Sequence, residues 1–146
     1  MPKKALINVF LFAIMVFSTI AFIGFIIWNQ PHRNIMGAPA IKIDAVDLYR
    51  VLYHDSIRMK SLFINKVVTV KGKVKKVQNN REGAQVILLQ TNVEGASVNC
   101  TMEQNIRGIR AGQTIEIKGI CMGYISGDDA IGLPGDVYLT RGYPTS

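Results

Sequence analysis

Two patterns of apolar residues divide the chain. Residues 5–31, ALINVFLFAIMVFSTIAFIGFIIWNQP, carry no charge and are almost all apolar. Because a helix rises ~1.5 Å per residue, the run from Ala5 to Trp28 would reach about 36 Å, enough to cross a hydrocarbon core of ~30 Å. The pattern therefore predicts one transmembrane anchor over residues 5–29, preceded by a short cytoplasmic tail of residues 1–4.

A cleaved secretory signal is the alternative to an anchor. Such a signal has a shorter apolar region, roughly 7–15 residues, followed closely by a cleavage site of small residues. Ala38-Pro39-Ala40 lies about ten residues beyond Trp28 and contains a proline, which favours the uncleaved anchor. Positive charge is retained on the cytoplasmic side, and residues 1–4 are slightly richer in it than the residues just after the helix. We expect an inner-membrane protein of a bacterium, with residues 30–146 in the periplasm.

The remaining chain changes pattern twice. Residues 30–43 hold two prolines and a glycine and are predicted to be a linker. A helix capped by Asp44 or Asp47 is predicted to end near Asn65, with an apolar stripe that includes Leu48, Leu52, Met59 and Phe63. Period-two alternation then predicts strands at residues 67–77, 85–89 and 97–102, one beginning at 114, and one over about 131–139. A short polar helix or turn is expected near residues 103–110, and a loose tail after Arg141.

Five short strands with turns about every ten residues predict an all-β fold, a small closed barrel over residues 44–146 with one leading helix. Gly72 and Gly119 fall in the inward phase of long strands, where a side chain would crowd a sharp bend. This is the pattern of an OB-fold.

The chain also resembles a known family, the tRNA-anticodon-binding-like OB-fold domains of small bacterial envelope proteins. The matching pieces include Asp47-Leu48-Tyr49, the run NKVVTVKGKV from Asn65 to Val74, VNCTM from Val98 to Met102, and GQTIEIKGICMG from Gly112 to Gly123. The resemblance implies the fold and no defined activity, so no catalytic residue is carried over from it. The loop over residues 79–83 is short and leaves little room for an elaborated site.

The two cysteines, Cys100 and Cys121, both fall in the inward phase of their strands. A disulfide between them would stabilise the folded state by about 3 kcal/mol, because it restricts the unfolded chain, and an oxidising compartment would permit it. The alternative is two buried thiols that act as small apolar side chains. The two strands are not neighbours in an OB-fold, so a bridge would have to cross the barrel.

No other residues form a catalytic or metal-binding pattern. His32 and His54 have no partner at metal-ligand spacing, and Asp128-Asp129 is typical of a solvated turn. We predict no enzyme, no cofactor and no metal.

A row of lysines is the candidate binding site. Lys71, Lys73 and Lys75 share the outward phase of the first predicted strand, with Arg81 in the following turn. Strand pairing in an OB-fold would set Glu116 and Lys118 beside this row, and Glu116 would neutralise part of it. The net charge of +7 is compatible with binding to anionic lipids, glycans or nucleic acid. The alternative is that the charge only keeps the protein soluble. Nucleic-acid OB-folds stack bases on aromatic side chains, and residues 85–90 and 97–102 contain none.

The sequence therefore favours a membrane-anchored, non-catalytic OB-fold module that binds another envelope protein or polymer or serves as a structural part. The alternative is a binder of single-stranded nucleic acid or anionic glycan that uses Lys71, Lys73, Lys75 and Arg81.

Overall fold

The computed structural model describes residues 2–29, 34–54 and 57–145, and they fall into two compact units that divide after Arg33. The first unit is a single helix, α1 (Lys3–Trp28), of 26 residues with no buried side chain. At ~1.5 Å per residue it is about 39 Å long. The predicted apolar helix is confirmed, and it is long and apolar enough to cross a membrane.

In its described residues, 34–54 and 57–145, the second unit has two helices, a 3₁₀ turn and six strands. The helices are α2 (Ala45–His54) and α3 (Ile57–Ser61), and the 3₁₀ turn is Asp129–Ile131. The strands are β1 (Ile41–Asp44), β2 (Val67–Asn79), β3 (Gln85–Gln90), β4 (Ser97–Met102), β5 (Thr114–Ile125) and β6 (Asp136–Pro144). Their order is β1-β2-β3-β4-β6-β5, and β2 also pairs with β5.

The pairing of β2 with β5 closes a five-stranded barrel, β2-β3-β4-β6-β5. The β4–β6 pair is parallel, and the other barrel pairs are antiparallel. This is the strand order of an OB-fold, a five-stranded Greek-key barrel. The predicted fold class is confirmed.

The inward faces agree with the period-two predictions. Val98, Cys100 and Met102 of β4, and Ile117 and Cys121 of β5, are all buried in one core. Apolar burial of this kind contributes roughly 25 cal/mol per Å² and holds the barrel closed.

Gly72 and Gly119 sit where other elements approach their strands closely, rather than at the sharp bends that were predicted. A Cβ on Gly72 would lie 2.9 Å from the Cβ of Ala45 and 3.2 Å from that of Leu89. A Cβ on Gly119 would lie 2.9 Å from the carbonyl oxygen of Thr140. Glycine is therefore what lets α2 and β6 approach these strands so closely.

Helix α2 covers one end of the barrel and contacts all five of its strands. It buries Ala45, Leu48, Tyr49 and Leu52, and the Tyr49 hydroxyl donates a hydrogen bond to the Gly135 carbonyl, 3.1 Å away. Helix is described over Ala45–His54 and Ile57–Ser61, with residues 55 and 56 outside the described residues, and α3 ends at Ser61 rather than near Asn65. Met59 of the predicted apolar stripe is 40% exposed. Asn65 has a left-handed conformation, with φ 61°.

Three expectations need correction. Residues 41–43 of the predicted linker belong to β1, a strand parallel to β2, and Ile35 is only 2% exposed; residues 30–33 of that linker lie outside the described residues. The last strand begins at Asp136 rather than near residue 131, which lies in the 3₁₀ turn. Of the helix and the turn left open near residues 103–110, the structure has the turn, within an irregular connection over residues 103–113. The tail is not loose after Arg141, because β6 continues to Pro144, where Gly142 pairs with Met102 and Tyr143 with Lys118.

Candidate binding face

Lys71 and Lys73 lie on the outward face of β2, as the alternation predicts. Lys71 is paired with Glu116 and Lys73 with Thr114 across the β2–β5 ladder, and both lysines are exposed. The predicted position of Glu116 beside the row is confirmed, and opposite charges on a cross-strand pair attract by a few tenths of a kcal/mol or more.

Lys118 does not act as a free cation of this face. It is paired with Thr69, and its Nζ donates hydrogen bonds to the carbonyl oxygens of Met36, at 2.9 Å, and Ala38. Lys118 therefore fastens residues 36–38 to β5.

A β-bulge interrupts the regular alternation of the lysine row at Lys75. Val74 pairs with Leu89, whereas Lys76 pairs with Leu88, so Lys75 is an extra residue in β2. Its Nζ lies 3.5 Å from the carbonyl oxygen of Ala96. A strict alternation would have put Val77 outward, but the extra residue returns Val77 to the core side, where it packs against the barrel.

Arg81 is separate from the row. It belongs to the turn between β2 and β3, where the Asn80 side-chain oxygen accepts hydrogen bonds from the backbone N–H groups of Glu82 and Ala84. Eight residues separate it from Lys73, about 26 Å along an extended strand. The structure thus brings Lys71 and Lys73 together, with Lys75 beside them, and leaves Arg81 at the hairpin tip.

Lys71 and Lys73 line an open cleft of about 510 Å³ where β1 ends and α2 begins. Asp44 and Asp47 line the same cleft, together with Gln90, Thr91 and Thr114. Lys75 lines a smaller cavity of about 310 Å³, which shares Gln90 and Thr91 with the cleft. We call the larger cavity the lysine–aspartate cleft.

Charge in the lysine–aspartate cleft is balanced. Two ammonium groups face two carboxylates, and Asp47 also pairs with Arg50 at 3.3 Å, where both side chains are more than half exposed. Such an exposed pair contributes little. The cleft can therefore offer donors and acceptors to the same ligand. Sequence reasoning treated the two aspartates only as helix caps, because nothing in the sequence indicated that β1 would bring Asp44 beside Lys71.

Both cysteines are buried free thiols. Leu139 of β6 pairs with Cys100 on one side and with Cys121 on the other, so two strand spacings, roughly 9–10 Å, separate the two backbones. Cysteines with Cα atoms more than about 7 Å apart do not bridge without backbone movement. Burial raises the pKa of both thiols, and the nearby Cys121 adds to the rise at Cys100. This geometry favours two separate thiols over a disulfide. The disulfide predicted from the sequence is not tested by it.

The aromatic side chains gather away from the lysine–aspartate cleft, where α2 meets β5. Tyr49 stacks on Tyr53 with ring centroids 5.8 Å apart, and Tyr124 meets both rings edge-on. Burial, with smaller contributions from the neighbouring tyrosines and Asp136, raises the pKa of Tyr49 to about 12. Tyr138 is different, because it lies on the outer face of β6 as the cross-strand partner of Asn99.

Asp136 anchors the start of β6 to β4. Its carboxylate accepts hydrogen bonds from the Ser97 N–H at 2.7 Å and from the Asn99 side-chain amide at 3.1 Å. Asp128 caps the 3₁₀ turn by accepting from the Ala130 N–H at 3.0 Å, so the predicted turn at Asp128-Asp129 is confirmed. His54 is exposed at the end of α2, and His32 lies outside the described residues. Within residues 2–29, 34–54 and 57–145, no cluster of three His, Cys, Asp or Glu residues could hold a metal ion.

A closed OB barrel with a polar cleft that carries both signs of charge is typical of a binding-type module. The sequence profile of the tRNA_anti-like family matches residues 1–133, and the chain belongs to this family. The family assignment confirms the resemblance seen in the sequence.

The chain is similar to two solved aspartyl-tRNA synthetase structures. One, titled as a putative enzyme from Leishmania major Friedlin, has 6% identity and a TM-score of 0.43, over 81% of this chain and 22% of that one. The other, from Entamoeba histolytica, has 13% identity and a TM-score of 0.38, over 80% of this chain and 24% of that one. The chain thus spans less than a quarter of either synthetase. No curated protein matches it.

Proposed function

We propose that the protein is a membrane-anchored, non-catalytic OB-fold module that binds an extended segment of another cell-envelope protein. Helix α1 supports the anchor by its length and composition. The charge difference across α1 supports a cytoplasmic N-terminus and a periplasmic barrel.

The lysine–aspartate cleft and the strand beside it are the observation that carries the proposal. β1 pairs with β2 on one edge, and no strand of the described residues pairs with its other edge. An extended peptide can add to such an edge through main-chain hydrogen bonds. Two lysines and two aspartates line the adjoining cleft, so both acidic and basic side chains of a peptide would find a partner.

A crosslinking experiment tests this occupant. A photo-reactive residue replaces Lys73 in the cleft of the full chain, and a matched variant carries it at Glu82 on the exposed hairpin tip. We expect a discrete protease-sensitive adduct in native membranes from position 73 and none from position 82. Equal adducts from both positions would contradict a site at the cleft, and extraction of the protein from membranes by alkaline carbonate would contradict the anchor.

Nucleic acid is the second candidate ligand. The family assignment and the two neighbouring lysines favour it, and the single-stranded polymers that OB-folds bind follow positively charged grooves. Binding of oligonucleotides or of a sulfated glycan to the full chain in detergent would then fall steeply with salt.

The lysines supply the control for that binding. Lys71→Gln with Lys73→Gln should lower the slope of log affinity against log salt by about 1.5, because each lost phosphate contact removes ~0.7–0.9. Arg107→Gln, at an exposed position in the connection before β5, should leave the slope unchanged. Absence of binding at low salt, or an adduct from position 73 that resists nuclease, excludes this candidate.

A further inference from the structure

Large apolar side chains remain exposed at the barrel end that α2 covers. They come from α2, from the segment before β2, from the end of β5 and from the loop before β6. Each is 47–68% exposed: Tyr53, Leu62, Met122, Ile125, Ile131 and Leu133. We call this set the apolar end.

Contacts between the segments place these side chains at one end of the molecule. The ring of Tyr53 lies 5.6 Å from that of Tyr124, next to Ile125. The segment that carries Leu62 is held to β5, because the Asn65 N–H donates to the Cys121 carbonyl at 2.7 Å. Ile131 and Leu133 lie in the connection that leaves β5 after Ile125 and returns at Asp136, its cross-strand partner.

Single exposed apolar residues are ordinary, but a group of this kind marks an interaction surface. Cations accompany the group. Arg58 and Lys66 are exposed, and Lys60 is half-buried, in the same stretch as Leu62. Asp128 and Asp129 are the acidic residues of the neighbouring loop, and the Asp128 carboxylate is already engaged by the Ala130 N–H.

The start of the barrel unit lies beside this surface. Residues 36–38 are fastened to Lys118, which is four residues, or about 13 Å along the strand, from Met122. Only four residues, 30–33, lie between Asn29 and Asn34, and the five residue-to-residue steps that join them extend at most about 18 Å. A chain anchored through α1 therefore keeps the barrel unit within reach of the lipid surface.

We propose that the apolar end rests in the boundary between headgroups and acyl chains of the membrane. Apolar side chains with neighbouring Lys and Arg bind anionic lipid surfaces in this way, by burial of apolar area and attraction to headgroups. Arg58, Lys60 and Lys66 meet the phosphates, and Met122, Ile125 and Leu133 enter the acyl boundary. The inference rests on the proposed membrane anchor. It orients the barrel on the membrane.

Depth-dependent quenching tests this orientation. The full chain is reconstituted in vesicles of phosphatidylethanolamine and phosphatidylglycerol with an environment-sensitive fluorophore on Leu133→Cys or Ile125→Cys. Labelling is done on the folded protein, where the two native thiols are buried. The matched control carries the fluorophore on Glu82→Cys at the hairpin tip.

We expect a blue shift, and loss of emission with acyl-brominated lipids, at positions 125 and 133 but not at 82. Failure of the protein to float with the vesicles would overturn the anchor. Flotation with all labels water-exposed and unquenched would overturn this inference alone. A blue shift at 133 without lipid quenching would show that a protein, such as a second copy, covers the apolar end, and would also overturn it.

Discussion

The close approach of α2 to β2 makes Gly72 the most informative position for a stability test. A Cβ added there lies 2.9 Å from the Cβ of Ala45, and 3.2 and 3.3 Å from the Cβ and Cδ1 of Leu89. Ordinary carbon contacts are ~3.5–4.0 Å. Gly72→Ala therefore forces the helix and the strand apart by several tenths of an ångström.

Overpacking of a buried site costs about 1–3 kcal/mol. Ala45→Gly alone should cost about 1 kcal/mol, since it places glycine in a helix and removes a buried methyl group. The double variant removes the shortest of the new contacts and keeps those to Leu89. We expect the loss of stability in the double variant to be about 1 kcal/mol smaller than the sum of the losses in the two single variants, which is within the range of coupling between residues in contact.

Thermal unfolding of the full chain in mild detergent measures this coupling. The near-ultraviolet circular dichroism of the tyrosine cluster around Tyr49 reports the loss of packing. For a domain of this size each kcal/mol corresponds to a shift in Tm of roughly 3–6 °C.

Gly119→Ala supplies the matched control. It meets the Thr140 carbonyl oxygen instead of the helix, so it should be destabilising and insensitive to Ala45→Gly. Strict additivity of Ala45→Gly and Gly72→Ala would refute the helix–strand contact on which the reasoning depends.

Three further predictions concern polar groups of the barrel unit. The pKa of Tyr49 in the folded protein is about 12, above its ordinary 10. The stability that its neutral hydroxyl contributes is therefore complete below pH 10 and is lost as the pH rises through 12. Tyr49→Phe should flatten the dependence of Tm on pH between 10 and 12, and should cost about 1 kcal/mol of stability at neutral pH. Cys100 and Cys121 should react with maleimide only after unfolding, and equally with or without prior reduction; a requirement for reductant would establish the disulfide. Asp136→Ala should cost about 1–3 kcal/mol, because it leaves two donors of β4 unpaired, whereas Asp129→Ala at an exposed turn should change Tm little.

Local sequence patterns were enough to predict much of the fold. The alternation in residues 97–102 and 114–121 put the correct side chains inward. These successes depend only on the two-residue period of a strand and on the apolar residues available for one face.

Contacts between distant segments explain the differences. β1 forms because β2 offers it an edge over residues 68–71, although its own sequence follows prolines and a glycine. Residues 142–144 read as a tail but pair with β4 and β5. The bulge at Lys75 shifts the register by one residue, a change that a period-two pattern does not encode.

The spacing of apolar side chains along a few neighbouring residues was enough to predict the apolar helix at the start, the barrel class and the inward-facing residues. The strand pairing expected of that barrel class also predicted Glu116 beside Lys71, but the other contacts of polar groups followed only from the tertiary structure. Asp44 and Asp47 line the same cleft as Lys71 and Lys73. Lys118 donates hydrogen bonds to backbone carbonyl oxygens, and β6 lies between the strands that carry Cys100 and Cys121. Strand order and register bring residues together from far along the chain, and no local pattern records those distances.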